Sequence, residues 1–430
     1  MGDRPDPYLR EDARVQGDRA ARQRGPIEVR GRPPRATVVV YRLNDIGGAE
    51  ASTVLFLERL ARTEFETRVI VLTGASDFRA KPELEARGMV FVDVHAGWPG
   101  RARALMADLR HHRPDLVHTT LFGADALGRL TAPLVGAPVL VSIVNMQYSP
   151  EAVAVAPSPR KLDIIRRGER FLSRHLTTAF HALTAATGAY ATTYLGADPK
   201  RIVVVPRGRL LGRYEVSAER ASAAREALGI DAGIPVIVNF ARQEPQKGQD
   251  LLLEAFAKVL ERHPDALLLI GGREGTATPL LQATTARLGI EGSVRFLGVR
   301  DDVPELLAAC TLFVSSARYE GFGGAVLEAM ASGSAIVAFG IAPVAEVLGG
   351  TGRLVPLGDT DAFADAVSEV IADPELRAQM GADAKAEAQR RFSADSAAAQ
   401  LADLYRDVIT DPERFPRPWI TRCVARLRRR

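Results

Sequence analysis

The sequence predicts an α/β protein built from two doubly wound, Rossmann-like parallel-sheet domains. Three observations carry this prediction. The chain has 430 residues, more than one hydrophobic core usually supports. Short β-branched apolar runs alternate with amphipathic stretches of about 10–15 residues, the signature of βαβ units. That alternation stops near residues 205–213, where Pro206, Gly208 and Gly212 break it, and then starts again.

The first series opens with "ATVVVYRL", a continuous β-branched run that suits a strand buried on both faces. "NDIGGAE" is a glycine turn, and "ASTVLFLERLART" is the amphipathic helix after it. "TRVIVLTG", "KPELEARG", "MVFVDV", "RARALMADLRHH", "PDLVHTTL", "GADALGRLTAPL" and "APVLVSIV" continue the alternation. "QYSPEAVAVAPSP" interrupts it and is expected to be a loop over a site. A helix from Lys161 to Leu172, the strand "LTTAFHAL", another helix and "RIVVVP" complete the domain.

The second series runs "IPVIVNFA", "GQDLLLEAFAKVLERH", "ALLLIGG", "PLLQATTARLG", "SVRFLG", "VPELLAAC", "TLFVSS", "AVLEAMA", "SAIVAFG". The expected division is a disordered, charged N-terminal tail at 1–35, a first domain at 36–208 to which a crossover helix at 393–410 returns, a second domain at 213–392 and a basic tail at 411–430. Two such domains would set the C-terminal ends of both sheets around a central cleft, where ligands of open α/β sheets bind.

The net charge of +4 is unevenly placed. Residues 1–35 hold nine Arg against six acids, and residues 411–430 hold seven Arg against two, so the body between them is near −4. A folded body of that sign gives no support to nucleic-acid binding. The N-terminus lacks the apolar run of a secretory signal, and "LVGAPVLVSIV" is far short of the roughly 18–20 residues a membrane span needs. A cytoplasmic protein is expected. Cys310 and Cys423 are the only cysteines, without a His or Cys at ligand spacing; Cys310 reads as a buried thiol.

Gly47 and Gly48 lie between strand and helix, where missing Cβ atoms admit a ligand and helix N–H groups attract an anion. Arg242 and Lys247 flank the loop "ARQEPQKGQ"; two cations there suit a departing diphosphate, and a solvated charged loop is the alternative. In "RYEGFGGAVLEAMASG", Glu320 stands in the turn after a strand and Glu328 one turn into a helix ended by Gly333. Glu320 fits either a sugar hydroxyl pair or the dipole of a helix start. Glu328, among Ala325, Val326, Ala329 and Met330, would be half-buried with no evident partner. Asp359-Thr360-Asp361 has the form of a metal-binding Asp-x-Asp but precedes an amphipathic helix and reads as its N-cap.

"EGFGGAVLE" resembles the E-x7-E motif of the two-domain GT-B glycosyltransferases of family 4, or group 1. "GGAE", "FARQEPQKGQDLLLEAF", "LLLIGG", "VRFLG", "EAMASGSAIVA" and "APVAEVL" extend the resemblance over residues 36–409. It implies transfer of a hexose-type sugar from a nucleoside diphosphate to a sugar, glycolipid or polysaccharide acceptor, with retention and without a metal or other cofactor. Arg242 and Lys247 would contact the diphosphate, Glu328 the ribose and Glu320 the transferred sugar. Phe322, Gly323 and Gly324 would supply backbone contacts, Gly47 and Gly48 would reach the phosphates, and the loop after "VRFLG" would hold the base.

Two positions depart from the pattern. Asn145 stands where many relatives have a His, and an Asn cannot carry a proton at neutral pH. His118, near the end of another strand, is a second acceptor-side candidate or a structural histidine. The join reads "PRGRL" where relatives often show Asn-Gly. The alternatives are an epimerase or phosphorylase of the same fold, or a paralogue that binds a sugar nucleotide without turning it over. The C-terminal "RFPRPWITRCVARLRRR" combines Trp419, Ile420, Val424 and Leu427 with Arg, which suits either peripheral contact with an anionic membrane or a solvated tail.

Overall fold

A computed structural model describes residues 26–43, 48–74 and 76–427. The chain divides into two compact units. One comprises the chain up to Tyr148, Ser158–Gly208 and the segment from Ala394 onward; the other comprises Ser149–Pro157 and Arg209–Ser393.

The chain begins with β1 (Arg35–Val40), α1 (Gly48–Leu60), β2 (Glu66–Val71), α2 (Lys81–Ala86), β3 (Val90–Asp93) and α3 (Trp98–His112). Next come β4 (Leu116–Thr120), α4 (Phe122–Thr131), β5 (Val139–Ile143), α5 (Pro150–Ala154), α6 (Pro159–His175), β6 (Ala179–Ala182), α7 (Ala185–Leu195) and β7 (Ile202–Val204). The second unit holds α8 (Ala218–Ala227), β8 (Val236–Phe240), α9 (Gln249–Leu260), β9 (Leu267–Gly271), α10 (Thr278–Leu288), β10 (Val294–Gly298) and α11 (Val303–Ala309). It continues through β11 (Leu312–Ser315), α12 (Gly324–Ser332), β12 (Ile336–Phe339), α13 (Ala342–Leu348), β13 (Arg353–Val355), α14 (Thr360–Ala372) and α15 (Pro374–Arg391). Helices α16 (Ala394–Thr410) and α17 (Trp419–Leu427) rejoin the first unit.

Both sheets are parallel, ordered β3-β2-β1-β4-β5-β6-β7 and β10-β9-β8-β11-β12-β13. The Rossmann-like α/β architecture expected from the sequence is therefore present in each unit. In the first, alternate residues serve opposite faces. Val38, Val40, Val69 and Val71 pack with α1 and α16, and Val39, Ile70, Val117 and Val141 pack with α3, α4 and α7. Burial on both faces is why these strands read as unbroken β-branched runs. In the second unit, Ile237, Leu268, Ile270, Val314 and Val337 pack against α9, α10 and α14.

Winding reverses at one place in each sheet, between β1 and β4 and between β8 and β11. The strands there diverge in their connections, leaving room at their C-terminal ends for a ligand.

Three sequence expectations change. "QYSPEAVAVAPSP" contains α5, whose N-cap Ser149 Oγ accepts from Ala152 N at 3.3 Å, so the segment is not loop throughout. Residues 26–34, assigned to the N-terminal tail, are tied down: the Arg32 guanidinium grips both oxygens of Asp115 at 2.8 and 3.2 Å. Residues 1–25 lie outside the described residues. The segment 411–427 is no solvated tail, because Phe415 is fully buried in the α16 core and Thr421 on α17 is also fully buried. Trp419 does stay 64% exposed. Among the described residues no helix is long and apolar enough to cross a membrane.

Candidate functional site

The reversal in the second sheet brings the turn after β8 beside the turn after β11, and these turns carry the sequence's leading candidates. Arg242 stands two residues past the end of β8. Lys247 ends the short 3-10 turn Pro245–Lys247, and Glu320 lies in the turn between β11 and α12. The Lys247 ammonium forms an ion pair with the Glu320 carboxylate, each side chain 17% exposed.

Hydrogen bonds to backbone carbonyls stitch the two turns together. Ser316 Oγ donates to Lys247 O at 2.9 Å, Arg318 N donates to Gln246 O at 2.9 Å, and Gln246 Nε2 donates to Tyr319 O at 3.0 Å. Arg318 also holds both Asp250 oxygens, at 2.8 and 2.6 Å, a bidentate pair that fixes the start of α9. Hydrogen bonds from Arg318 hold the Asp250 carboxyl below the usual range against the opposing effect of burial, which is the larger single influence. Gly248 closes this turn at φ 59°, and a Cβ there would fall 2.1 Å from Ser316 O. Close approach of the two turns thus requires glycine.

Helix α12 starts from Gly323 at φ 90°, with Gly333 ending it at φ 79°. Its first intrahelical bond runs from Leu327 N to Gly323 O, so the N–H groups of Gly324, Ala325 and Val326 precede the ladder. Phe322 is buried edge-on against Phe392, at 5.8 Å between ring centroids, and anchors the turn that presents these amides. Four residues into α12, the Glu328 carboxylate accepts from Arg209 Nε at 2.9 Å. Arg209 is itself fixed, its backbone N donating to Phe392 O at 2.9 Å. The expectation of an unpartnered Glu328 is corrected by this pair. A Cβ on Gly324 would come within 2.7 Å of the Arg209 guanidinium, so this glycine makes space for the pair.

Two cation–carboxylate pairs, Lys247–Glu320 and Arg209–Glu328, therefore border the N-terminus of one helix at the switch point of one sheet. Such a place favours an anion through free amides and the helix dipole, and offers carboxylate oxygens to hydroxyl groups.

A model of "Glycosyl transferases group 1" matches residues 221–387, and one of a "Glycosyl transferase 4-like domain" matches residues 47–208. The D-inositol 3-phosphate glycosyltransferase of Streptomyces scabiei is 31% identical over 411 residues, covering 86% of this chain and 89% of that protein. The chain belongs to the group 1 glycosyltransferases. The D-inositol 3-phosphate glycosyltransferase of Corynebacterium glutamicum is 36% identical over 225 residues, half of this chain and 54% of that protein. Anabaena HepE, solved in complex with UDP and glucose, superposes with a TM-score of 0.74 at 22% identity over 87% of this chain and all of that one. The sucrose-phosphate synthase of Thermosynechococcus elongatus gives 0.75 at 20% identity, over 88% and 99%. At those identities the two structures speak for a shared GT-B fold.

The other candidates of this glycosyltransferase lie in its first unit. Gly48 is the exposed first residue of α1, with open space around a hypothetical Cβ, and Gly47 lies outside the described residues. Asn145 is half-buried and turns its Oδ1 to its own chain, accepting from Met146 N at 2.9 Å. Leu121, directly after β4, holds φ 72° and ψ 145°, a region nearly confined to glycine, so strain sits at the first unit's switch point.

His118 is embedded in a buried chain of hydrogen bonds whose directions follow from its end. Val205 O only accepts, so His181 Nε2 donates to it at 2.8 Å and His181 Nδ1 accepts from Ser142 Oγ at 2.8 Å. Ser142 Oγ then accepts from His118 Nε2 at 2.7 Å, and His118 Nδ1 accepts from Tyr405 Oη at 2.7 Å. Both ring nitrogens of His118 are thereby occupied. Burial pushes His118 down to about 3 and His181 down to about 4, from the ordinary value near 6.5. The same chain borders an open recess lined by Ser52, Phe56, Arg207 and Leu401.

This network predicts a pH dependence of stability. Histidines neutral in the fold but protonated in the unfolded chain contribute fully above pH 6.5, and the contribution falls as pH drops toward 4, by about 1.4 kcal/mol per pH unit each. Asp125, pushed up to about 7 by burial, acts oppositely, because its protonated form is favoured in the fold down to the ordinary value of 3.8. His118 and His181 set against Asp125 leave a net of one proton, about 1.4 kcal/mol per unit between pH 6.5 and 4.5, and His112, also lowered by burial, adds to the fall. Urea midpoints should fall accordingly. His181→Asn, whose amide can accept from Ser142 and donate to Val205 O, should make the slope shallower by about 1.4 kcal/mol per unit.

The Asp-x-Asp segment caps α14. Asp359 Oδ1 accepts from Ala362 N at 2.9 Å, and Asp361 pairs with Lys258 at 2.6 Å. The Cys310 thiol donates to Leu307 O at 3.1 Å and is pushed up to about 12 by burial. The functional-site residue that sequence reasoning missed is Arg209. Its "PRGRL" context read only as an atypical join, although an Arg next to Gly208 at the domain boundary was the available signal.

Proposed function

We propose that the chain transfers a hexose-type sugar from a uridine diphosphate sugar to a hydroxyl of a sugar, glycolipid or polysaccharide, with retention at the anomeric carbon. The observation that carries this reading is the double cation–carboxylate border of the α12 N-terminus. The diphosphate lies against the α12 amides, with Lys247 and Arg242 neutralising it. Glu328, oriented by Arg209, accepts from the ribose hydroxyls, and Glu320, oriented by Lys247, accepts from the transferred sugar. The turn after β10, with its exposed Val299, faces the base.

In the reaction the bond from the anomeric carbon to the diphosphate oxygen breaks, and the acceptor oxygen bonds to that carbon on the vacated face. The leaving phosphate oxygen takes the acceptor's proton. Lys247, held by Glu320, and the exposed Arg242 supply the charge that a metal ion would otherwise provide, so no metal or organic cofactor is required. Uridine is favoured because HepE, of the same fold, is described with UDP. Inositol 3-phosphate, named in the relatives' activity, is the first acceptor to try.

The test is turnover with UDP-, GDP- and ADP-sugars, followed by proton NMR of the product anomer. Product with the donor's anomeric configuration, formed from a UDP-sugar in the presence of a chelator, is expected. An inverted product, or strict dependence on a metal, contradicts the proposal; donor binding without any turnover would favour the non-catalytic reading.

A further inference from the structure

We propose that α6 is a docking face for an anionic lipid bilayer. Along this helix Arg160, Ile164, Arg167, Phe171 and Arg174 follow one another at spacings of four, three, four and three residues, which places them on a single face. All five are exposed. Ile164 is 71% and Phe171 59% exposed, the former higher than any other large apolar side chain described. Lys161, next to the stripe, is exposed as well.

The opposite side of the helix already has its partners. Leu162 and Ile165 pack on the first unit's core, Ser173 is buried, and Glu169 is buried with Arg129 at 3.7 Å. The outward Ile and Phe are therefore additional to the core-facing set.

Charge complementarity names the occupant. Helix α6 carries six cations against Asp163 and Glu169, a balance of +4, and Glu169 is turned inward. The remainder of residues 36–410 is then near −8, from the body's −4 less this +4. A net positive charge is thus gathered on this helix, interleaved with apolar groups, in a body that is otherwise net negative. Phosphodiester backbones gain nothing from an exposed Ile, whereas a bilayer accepts Ile and Phe below its headgroups while Arg and Lys stay with the lipid phosphates.

The test is flotation of the full chain with vesicles of pure phosphatidylcholine and with vesicles containing about one third phosphatidylglycerol, a composition in the anionic range where basic segments respond. It needs no sugar turnover and so stands apart from the transferase reading. Binding to the anionic vesicles alone, weakened by high salt, is expected. Ile164→Ser with Phe171→Ser should lower partition about tenfold or more at an unchanged melting temperature, because both side chains are already in water. Arg160→Glu, Lys161→Glu and Arg167→Glu together should do the same through charge. Equal partition of wild type and both variants overturns the proposal. So does equal binding to neutral vesicles, binding to polyuridylate but not to lipid, or self-association through this face without lipid binding.

Discussion

Lys247→Ala is expected to lower kcat by about 100- to 1000-fold, with a smaller change in donor KM. The reasoning is electrostatic. Negative charge accumulates on the diphosphate as its bond to the sugar breaks, so a fixed ammonium beside it gains more in the transition state than in the ground state; removing one preorganised charge partner of this kind costs about 3–4 kcal/mol. The ammonium is preorganised because Glu320 holds it and because Gly248 and Ser316 lock the turn that bears it. Lys247→Arg should recover part of the loss, since the charge returns in a wider, planar group. Steady-state kinetics beside a thermal melt check both, and an unchanged kcat in a folded Lys247→Ala protein would remove Lys247 from the reaction.

Arg209→Ala should have the second largest effect, on stability and donor binding together. It leaves the Glu328 carboxylate, a side chain 23% exposed, without its cation. Breaking a buried pair by deleting one partner costs about 3–5 kcal/mol, and the residual exposure of Glu328 reduces that to about 2 kcal/mol. The carboxylate would also lose the bond that fixes its rotamer, so ribose binding should weaken about tenfold, or 1.4 kcal/mol. Arg209→Ala with Glu328→Ala should be more stable than Arg209→Ala alone, because the uncompensated charge is gone. A urea-melt double-mutant cycle measures this coupling.

The sheets were legible because parallel strands covered on both faces need uninterrupted apolar runs, as in "ATVVVY" and "LLLIGG", and the helices between them need a 3.6-residue period. The turn and helix of "RYEGFGGAVLEAMASG" were legible for the same reason: Gly323 and Gly333 mark left-handed positions that few other residues adopt.

What the sequence did not disclose were pairings between distant positions. Arg209 and Glu328 are 119 residues apart, and Lys247 and Glu320 are 73 apart. Their meeting depends on which strand lies beside which, and therefore on the reversal between β8 and β11. The Tyr405–His118–Ser142–His181 chain joins four elements in the same way, and no local pattern announces it. The "RFPRPWITRC" segment was ambiguous by composition, its Arg and apolar groups suiting either a membrane surface or a solvated tail, whereas burial of Phe415 and Thr421 seats it on the first unit.

Calorimetric titration of UDP into the wild type and into Glu328→Ala most directly tests the claim that the α12 N-terminus and its two ion pairs form a nucleotide-sugar site. Wild-type binding, with affinity at least about tenfold lower in a Glu328→Ala protein of near wild-type melting temperature, is the predicted result. Equal affinity in the two proteins, or no binding of any nucleoside diphosphate by the folded wild type, would contradict it.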